Sequence, residues 1–276
     1  MSVRRIVIIT SICILVTGGL LWVARAGKPA EKRPISLMAH AGAGIRPALD
    51  ELGARYERKT GIKIEYNYKG SGCLLADVCA SQKGDVYIPG EIFYMQQAVD
   101  RKLVARYRVV TSLTTVLIVR AGNPKKIKEV TDLARPGMRV GIGDPQVVAC
   151  GCAAREVFTK AGVWEKVQKN TAMAGQNVTE VSNAVKLGHI DAAIVWDATA
   201  ALYNSKEMMA IQIPSRWRVV AAVPAGAMKF SHYPAEAEKF VSFLASDEAA
   251  KVFAEHGFST PVSAKQRGTV IEGSKS

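Results

Sequence analysis

Four short stretches bring small residues to places where a strand gives way to a helix: Gly42-Ala43-Gly44, Gly70-Ser71-Gly72, Ala149-Cys150-Gly151 and the residues before Val178. The first turn of a helix carries N–H groups without intrahelical partners and a partial positive charge. Where side chains are small, an anion reaches those groups directly. Ser71 adds a hydroxyl to the second stretch. Several such helix starts meeting in one cleft would hold a small anion with no Lys or Arg in contact. Gly-rich turns also arise for steric reasons alone, so the pattern by itself leaves both readings open.

Other residue types offer less chemistry. Cys13 falls in the N-terminal apolar segment, which leaves Cys73, Cys79, Cys150 and Cys152 in the body of the chain. An even count in an oxidising compartment points to disulfides. Three readings stand: a Cys73–Cys150 bridge across the cleft, a pairing such as Cys73–Cys79 within one half, or free thiols that bind a soft metal ion or a thiophilic oxyanion. Cys150-Gly-Cys152 lacks zinc spacing, so no metal centre is expected. His40 abuts the first small-residue turn and reads as a structural histidine; His189, His232 and His256 share no spacing. Trp164 and Trp217 read as packing, and Asp144-Pro145 as a turn. No nucleophile elbow, metalloprotease helix, P-loop or dinucleotide fingerprint occurs. Asp85, Glu91 and Asp197 are too scattered for an acid–base pair, so the chain is not expected to be an enzyme.

The elements around these turns follow one grammar. Residues 35–39 read as a strand, and Pro47 opens an amphipathic helix with Leu49, Leu52 and Tyr56 on one face. Ile62, Ile64 and Tyr66 alternate as a half-buried strand does, and a helix runs over 74–81. Strands are expected at 85–88, 116–119, 139–142, 192–196 and 219–223. Helices are expected at 93–99, 153–160, 177–187, 198–203, 234–245 and 247–256. Strand–turn–helix repeated at this spacing predicts an α/β fold of sheets flanked by helices, with ligands at the carboxyl ends of strands.

Several stretches, taken in order, carry a resemblance: Lys69-Gly-Ser-Gly-Cys-Leu74, Gly84-Asp-Val-Tyr-Ile-Pro-Gly-Glu91, Gly141-Ile-Gly-Asp-Pro145, Lys160-Ala-Gly-Val-Trp-Glu165, Gly188-His-Ile-Asp-Ala-Ala-Ile-Val-Trp196 and Glu255-His-Gly-Phe258. Together they resemble the periplasmic molybdate-binding protein family, a type II solute-binding fold, over 35–261. The resemblance implies a mixed α/β protein of two lobes joined by two crossover strands, with a tetrahedral oxyanion held in the cleft between them. On this chain it places the first lobe at 35–117 plus 223–267, the second at 118–222 and a flexible tail at 268–276. It implies ligand contacts at Gly42, Ala43 and Gly44, at Ser71 and Gly72, and at Cys150, Val178 and Trp196, with Cys73 and Asp197 as further candidates. Two positions depart from the family pattern: the first turn has no hydroxyl, and Trp196, followed by Asp197, stands where the family has a tyrosine. The implied partner is the membrane permease of an ABC importer, the implied ligand a molybdate-like or tungstate-like oxyanion. A carrier or sensor of a thiophilic species through the cleft cysteines is the alternative. No cofactor beyond the bound anion is expected, and the chain is expected to be a monomer.

Bulk properties agree with an exported binding protein. The 276 residues are 49% hydrophobic and 22% charged, an ordinary globular balance. The formal charge of +13 comes from basic residues spread along the chain, without the aromatic-interleaved basic stripe of a nucleic-acid binder. Arg4 and Arg5 precede an apolar run over 6–24, and Ala24-Arg25-Ala26 matches a signal-peptidase site. Residues 1–26 therefore read as a signal peptide, with an uncleaved anchor as the competing reading. Residues 27–34 read as a spacer. No Cys ends the apolar run, which argues against a lipoprotein. Both readings place the remainder in the periplasm or on the outer face of the cytoplasmic membrane.

Overall fold

The computed structural model describes residues 35–203, 206–258 and 262–272; the expected leader and spacer and residues 273–276 lie outside them. Two half-structures share one continuous sheet. In the first, β1 (Ser36–Gly42) pairs parallel with β2 (Lys63–Lys69) and β3 (Val86–Ile88). Helices α1 (Arg46–Thr60), α2 (Ser71–Ser81) and α3 (Ile92–Asp100) follow these strands in turn, the first after a 3-10 turn at Ala43–Ile45. Pro47 pre-sets the start of α1, and Gly61, in the left-handed region at φ 72°, ends it. In the second half, β5 (Val140–Gly143) pairs parallel with β6 (Thr171–Gly175) and β7 (Ala192–Trp196). Helices α4 (Ala149–Lys160), α5 (Trp164–Lys169) and α6 (Val178–Lys186) cover that sheet, and α7 (Asp197–Ala200) is a single turn. Asn177 caps α6 by accepting the Glu180 N–H.

What joins the halves is antiparallel. Strand β4 (Arg106–Arg120) pairs with β9 (Val220–Ala227) through its first part, then with β7 and β8 (Met208–Gln212) through its last. Strand β9 in turn pairs with β3, which gives the order β2-β1-β3-β9-β4-β7-β5-β6. The mixed, two-lobed α/β architecture of the resemblance is thus present, with parallel pairing confined to each lobe. Helices α8 (Pro234–Leu244) and α9 (Asp247–Glu255) return to the first lobe, packing on β9 and on α1 respectively. After α10 (Ala264–Gly268), Ile271 and Glu272 form β10 against the start of β4. The tail expected to be flexible from 268 onward is therefore paired in part, because β4 leaves an edge there for it.

Each lobe has its own apolar centre. Leu37, Leu49, Leu52, Leu74, Phe240 and Phe253 are fully buried in the first. Leu117, Val140, Val157, Phe158, Val167 and Ile194 cluster in the second, with Trp164 and Trp217 packed against them. Burying each such large side chain stabilises by about 1.5–3 kcal/mol. None of the helices among the described residues is long and apolar enough to cross a membrane.

Candidate functional site

Between the lobes the carboxyl ends of the strands face a small cavity with about 300 Å³ of atom-free space, counting the part open to solvent. Its wall is made of strand ends and helix starts. Gly42, Ala43, Gly44 and Ile45 come from the turn after β1; Lys69, Gly70 and Ser71 join β2 to α2; and Gly90 precedes α3. From across the cleft come Val148, Ala149 and Cys150 at the start of α4, Asn177 and Val178 at the start of α6, and Trp196 at the end of β7, with Leu113 of β4 beneath. Seven of the expected residues meet here: Gly42, Ala43, Gly44, Ser71, Cys150, Val178 and Trp196.

Three others do not reach the wall. Gly72 turns its N–H across the cleft to the Val147 carbonyl at 2.8 Å, so this amide ties the lobes together and is not free for a ligand. Cys73 lies one residue further along α2, half-buried and off the cavity. Asp197 is buried, and its Oδ1 accepts the N–H groups of Thr114 at 3.0 Å and Ala198 at 2.9 Å. It satisfies β4 where that strand passes from β9 to β7, a structural duty that turns the carboxylate away from the cavity.

The geometry also bears on the two disulfide readings, neither of which it forms. Cys73, Cys79, Cys150 and Cys152 are all unbonded. The Cys150 thiol donates to the Ile194 carbonyl at 3.3 Å, and burial pushes its pKa up, so the sulfur stays protonated. Cys152 donates likewise to the Pro145 carbonyl. Among the described residues no group of three His, Cys, Asp or Glu side chains could hold a metal ion. His40 stands outside the wall: one ring nitrogen meets the Lys83 carbonyl and the other the Asn67 amide. His256 pairs with Glu51.

Ser71 is the central polar side chain of the site and is 3% exposed. Its Oγ accepts the Gly90 N–H at 2.9 Å, which leaves the hydroxyl proton as its remaining donor. Among the described residues no carboxylate lines the cavity, and Lys69 is its one cationic wall residue. The Lys69 ammonium sits 2.5 Å from Asp77 and holds that carboxyl below the usual range. Small residues make the closeness possible. A Cβ on Gly44 would stand 3.1 Å from both Trp196 and Val178. A Cβ on Gly72 would stand 2.9 Å from the Val147 carbonyl oxygen.

Sequence reasoning missed Ile45, Lys69, Gly90, Leu113 and Val148. Gly90 carried a usable signal, because Pro89-Gly90 sits between a strand and a helix as the other turns do. Leu113 carried none, since only the pairing of β4 brings it under the cleft.

The model of the family described as bacterial extracellular solute-binding protein matches residues 37–259. A putative ABC transporter substrate-binding lipoprotein, YvgL of Bacillus subtilis, is 28% identical, over 82% of this chain and 87% of that protein. The molybdate-binding protein ModA of Mycobacterium tuberculosis is 27% identical, over 82% and 85% respectively. Among solved structures, the periplasmic molybdate-binding protein of Azotobacter vinelandii superposes with a TM-score of 0.71 at 19% identity. That superposition covers 82% of this chain and all of the other.

Proposed function

The chain belongs to the family of bacterial extracellular solute-binding proteins, and from that premise we propose that it captures a small oxyanion of the molybdate and tungstate class and hands it to the membrane permease of an ABC importer. The observation that carries this reading is the cavity wall. The starts of α2, α4 and α6 and the turn after β1 all reach it, and among the described residues no carboxylate does. Each helix start favours negative charge by about 0.3–1 kcal/mol, and several add in one place. Once the lobes close on the anion, loss of water from the cleft strengthens each contact.

In this reading the lobes close on the anion. Main-chain amides at Ala43, Gly44, Ser71, Cys150 and Val178 donate to its oxygens. The Ser71 hydroxyl gives its free proton, and the Trp196 indole N–H takes the place of the tyrosine hydroxyl implied by the family resemblance. Lys69 at the rim raises the local anion concentration without being consumed in the contact. The names of the Bacillus and mycobacterial relatives support the transporter and the ligand class respectively. Export, with the leader cleaved or kept as an anchor, and action as a monomer complete the proposal.

Thermal unfolding with molybdate, tungstate, sulfate, chromate and arsenate tests it. A ligand at a hundred times its Kd stabilises the folded state by about 2.7 kcal/mol, which appears as a raised Tm. Unchanged melting with all five anions would sink the oxyanion reading.

A further inference from the structure

Directly behind the ligand cavity, the first lobe presents a carboxyl group to the second. Gly90 lines the cavity, and a Cβ placed on it would touch Ala149 Cβ at 3.3 Å, so the starts of α3 and α4 adjoin. The next residue, Glu91, is the N-cap of α3, yet its side chain caps nothing. It is half-buried, and no hydrogen bond or ion pair to it is formed among the described residues. Glu91 shares its electrostatic surroundings on α4 with the Cys150 and Cys152 thiols, which are hydrogen-bonded to the Ile194 and Pro145 carbonyls, and with the Glu156 carboxylate. Arg155, the nearby cation on α4, lies over the Trp164 ring instead. On its own helix the Tyr94 hydroxyl is buried without a hydrogen-bond partner of normal geometry, beside the Cys152 sulfur and near Asp144. The seam therefore holds a carboxyl group with two weak thiol neighbours and a second carboxylate, Glu156, whose own countercharge is Lys160 at 2.7 Å, and among the described residues no ion pair reaches Glu91.

We propose that Glu91 is a proton-binding site built into the seam between the lobes, so that closing on the anion takes up one proton. This rests on the oxyanion-binding reading. An ionised carboxylate loses water when α4 covers it and gains no partner in return. Burial first, and the Glu156 charge second, push its pKa up to about 7 in the closed form. When the lobes part, α4 leaves and the carboxyl returns to water at its ordinary value of about 4.3. Below that value both forms hold the proton; above about 7 neither does. Between the two, only the closed form holds it. Affinity therefore falls as the pH rises through this window, by at most about tenfold per pH unit for one proton.

Calorimetry of molybdate binding in two buffers of different ionisation enthalpy reads the uptake directly. The expected result is roughly one proton taken up per anion bound near pH 6, vanishing near pH 8. Glu91→Gln is expected to abolish the uptake and to bind with a pH-independent affinity. Glu156→Gln is expected to keep the uptake with its midpoint moved down. Binding of molybdate by the unaltered protein with no proton uptake near pH 6 overturns the proposal and leaves the oxyanion reading standing; so does uptake that persists in Glu91→Gln. Failure of molybdate and of each of the other four anions to bind at either pH overturns the oxyanion reading itself, and this one with it.

Discussion

On the first lobe's side of the cleft, Ser71 sets a hydroxyl against Gly90, and Lys69 stands at the rim against Asp77. On the second lobe's side, Val148, Ala149, Cys150, Val178 and Trp196 are buried, and Asn177 caps α6 through its side-chain oxygen. Even the Cys150 thiol is turned to a backbone carbonyl. One wall thus carries the Ser71 hydroxyl and the Lys69 ammonium, whereas the other offers main chain with the Trp196 indole N–H as its side-chain donor. Main-chain donors are fixed by the strands and helices that carry them, so the second wall reads shape while the first adds chemistry. In the proposed reading a ligand touches both, which makes closure part of recognition.

The comparison can be broken by substitution. The largest effect is expected in the scaffold of the main-chain wall. Phe158 is fully buried and stacks on Trp164. Phe158→Ala should lower unfolding free energy by about 3–5 kcal/mol in denaturant titration. The folded fraction should keep its affinity, because the cleft itself is untouched.

Next comes the contact between the walls. Gly72→Ala places a Cβ against Val147 and strains the hydrogen bond that ties the lobes. Anion affinity should fall roughly 100-fold, which is about 3 kcal/mol at 1.4 kcal/mol per tenfold. The unliganded Tm should change much less. An unchanged Kd would mean that the cleft binds without closing.

Ser71→Ala removes the side-chain donor of the first wall and leaves the Gly90 N–H without its partner. A hydrogen bond to a charged group contributes about 1.5–3 kcal/mol, so calorimetry should show Kd rising by one to two powers of ten. The smallest effect is expected at Cys150→Ala in the second wall. Its main-chain amide remains, and the lost thiol bond is a weak neutral one of about 1 kcal/mol. Kd should move by less than tenfold, with a modest loss of Tm. A loss of affinity as large as that of Ser71→Ala would show that the thiol itself touches the ligand.

Much of this was legible in the chain because it is local. A small-residue junction between a strand and a helix is a statement about neighbouring residues. The 192–196 strand, buried at every position, announced itself as an unbroken apolar run. Strand β4 did not. Thr111, Ser112, Thr114 and Thr115 interrupt its apolar residues, so only 116–119 read as a strand. These polar residues are buried because β4 is covered on both sides by long-range pairing, with Thr115 Oγ1 donating to the Val219 carbonyl and Asp197 accepting from the Thr114 N–H. Strands β6 and β8 are half-exposed and carry too little pattern of their own.

By itself, then, the sequence determined where the helix starts fall and that they are bare enough for an anion to approach, because both depend on residues a few positions apart. Only the tertiary structure decided which of those groups face the cavity. Gly72, Cys73 and Ser71 are consecutive along α2, yet one reaches the opposite lobe, one leaves the cleft and one points its hydroxyl into it. Spacing cannot separate such neighbours. Their fates depend on what the other lobe places against them, and the residues it places there, Val147 to Cys150, lie more than seventy residues away along the chain.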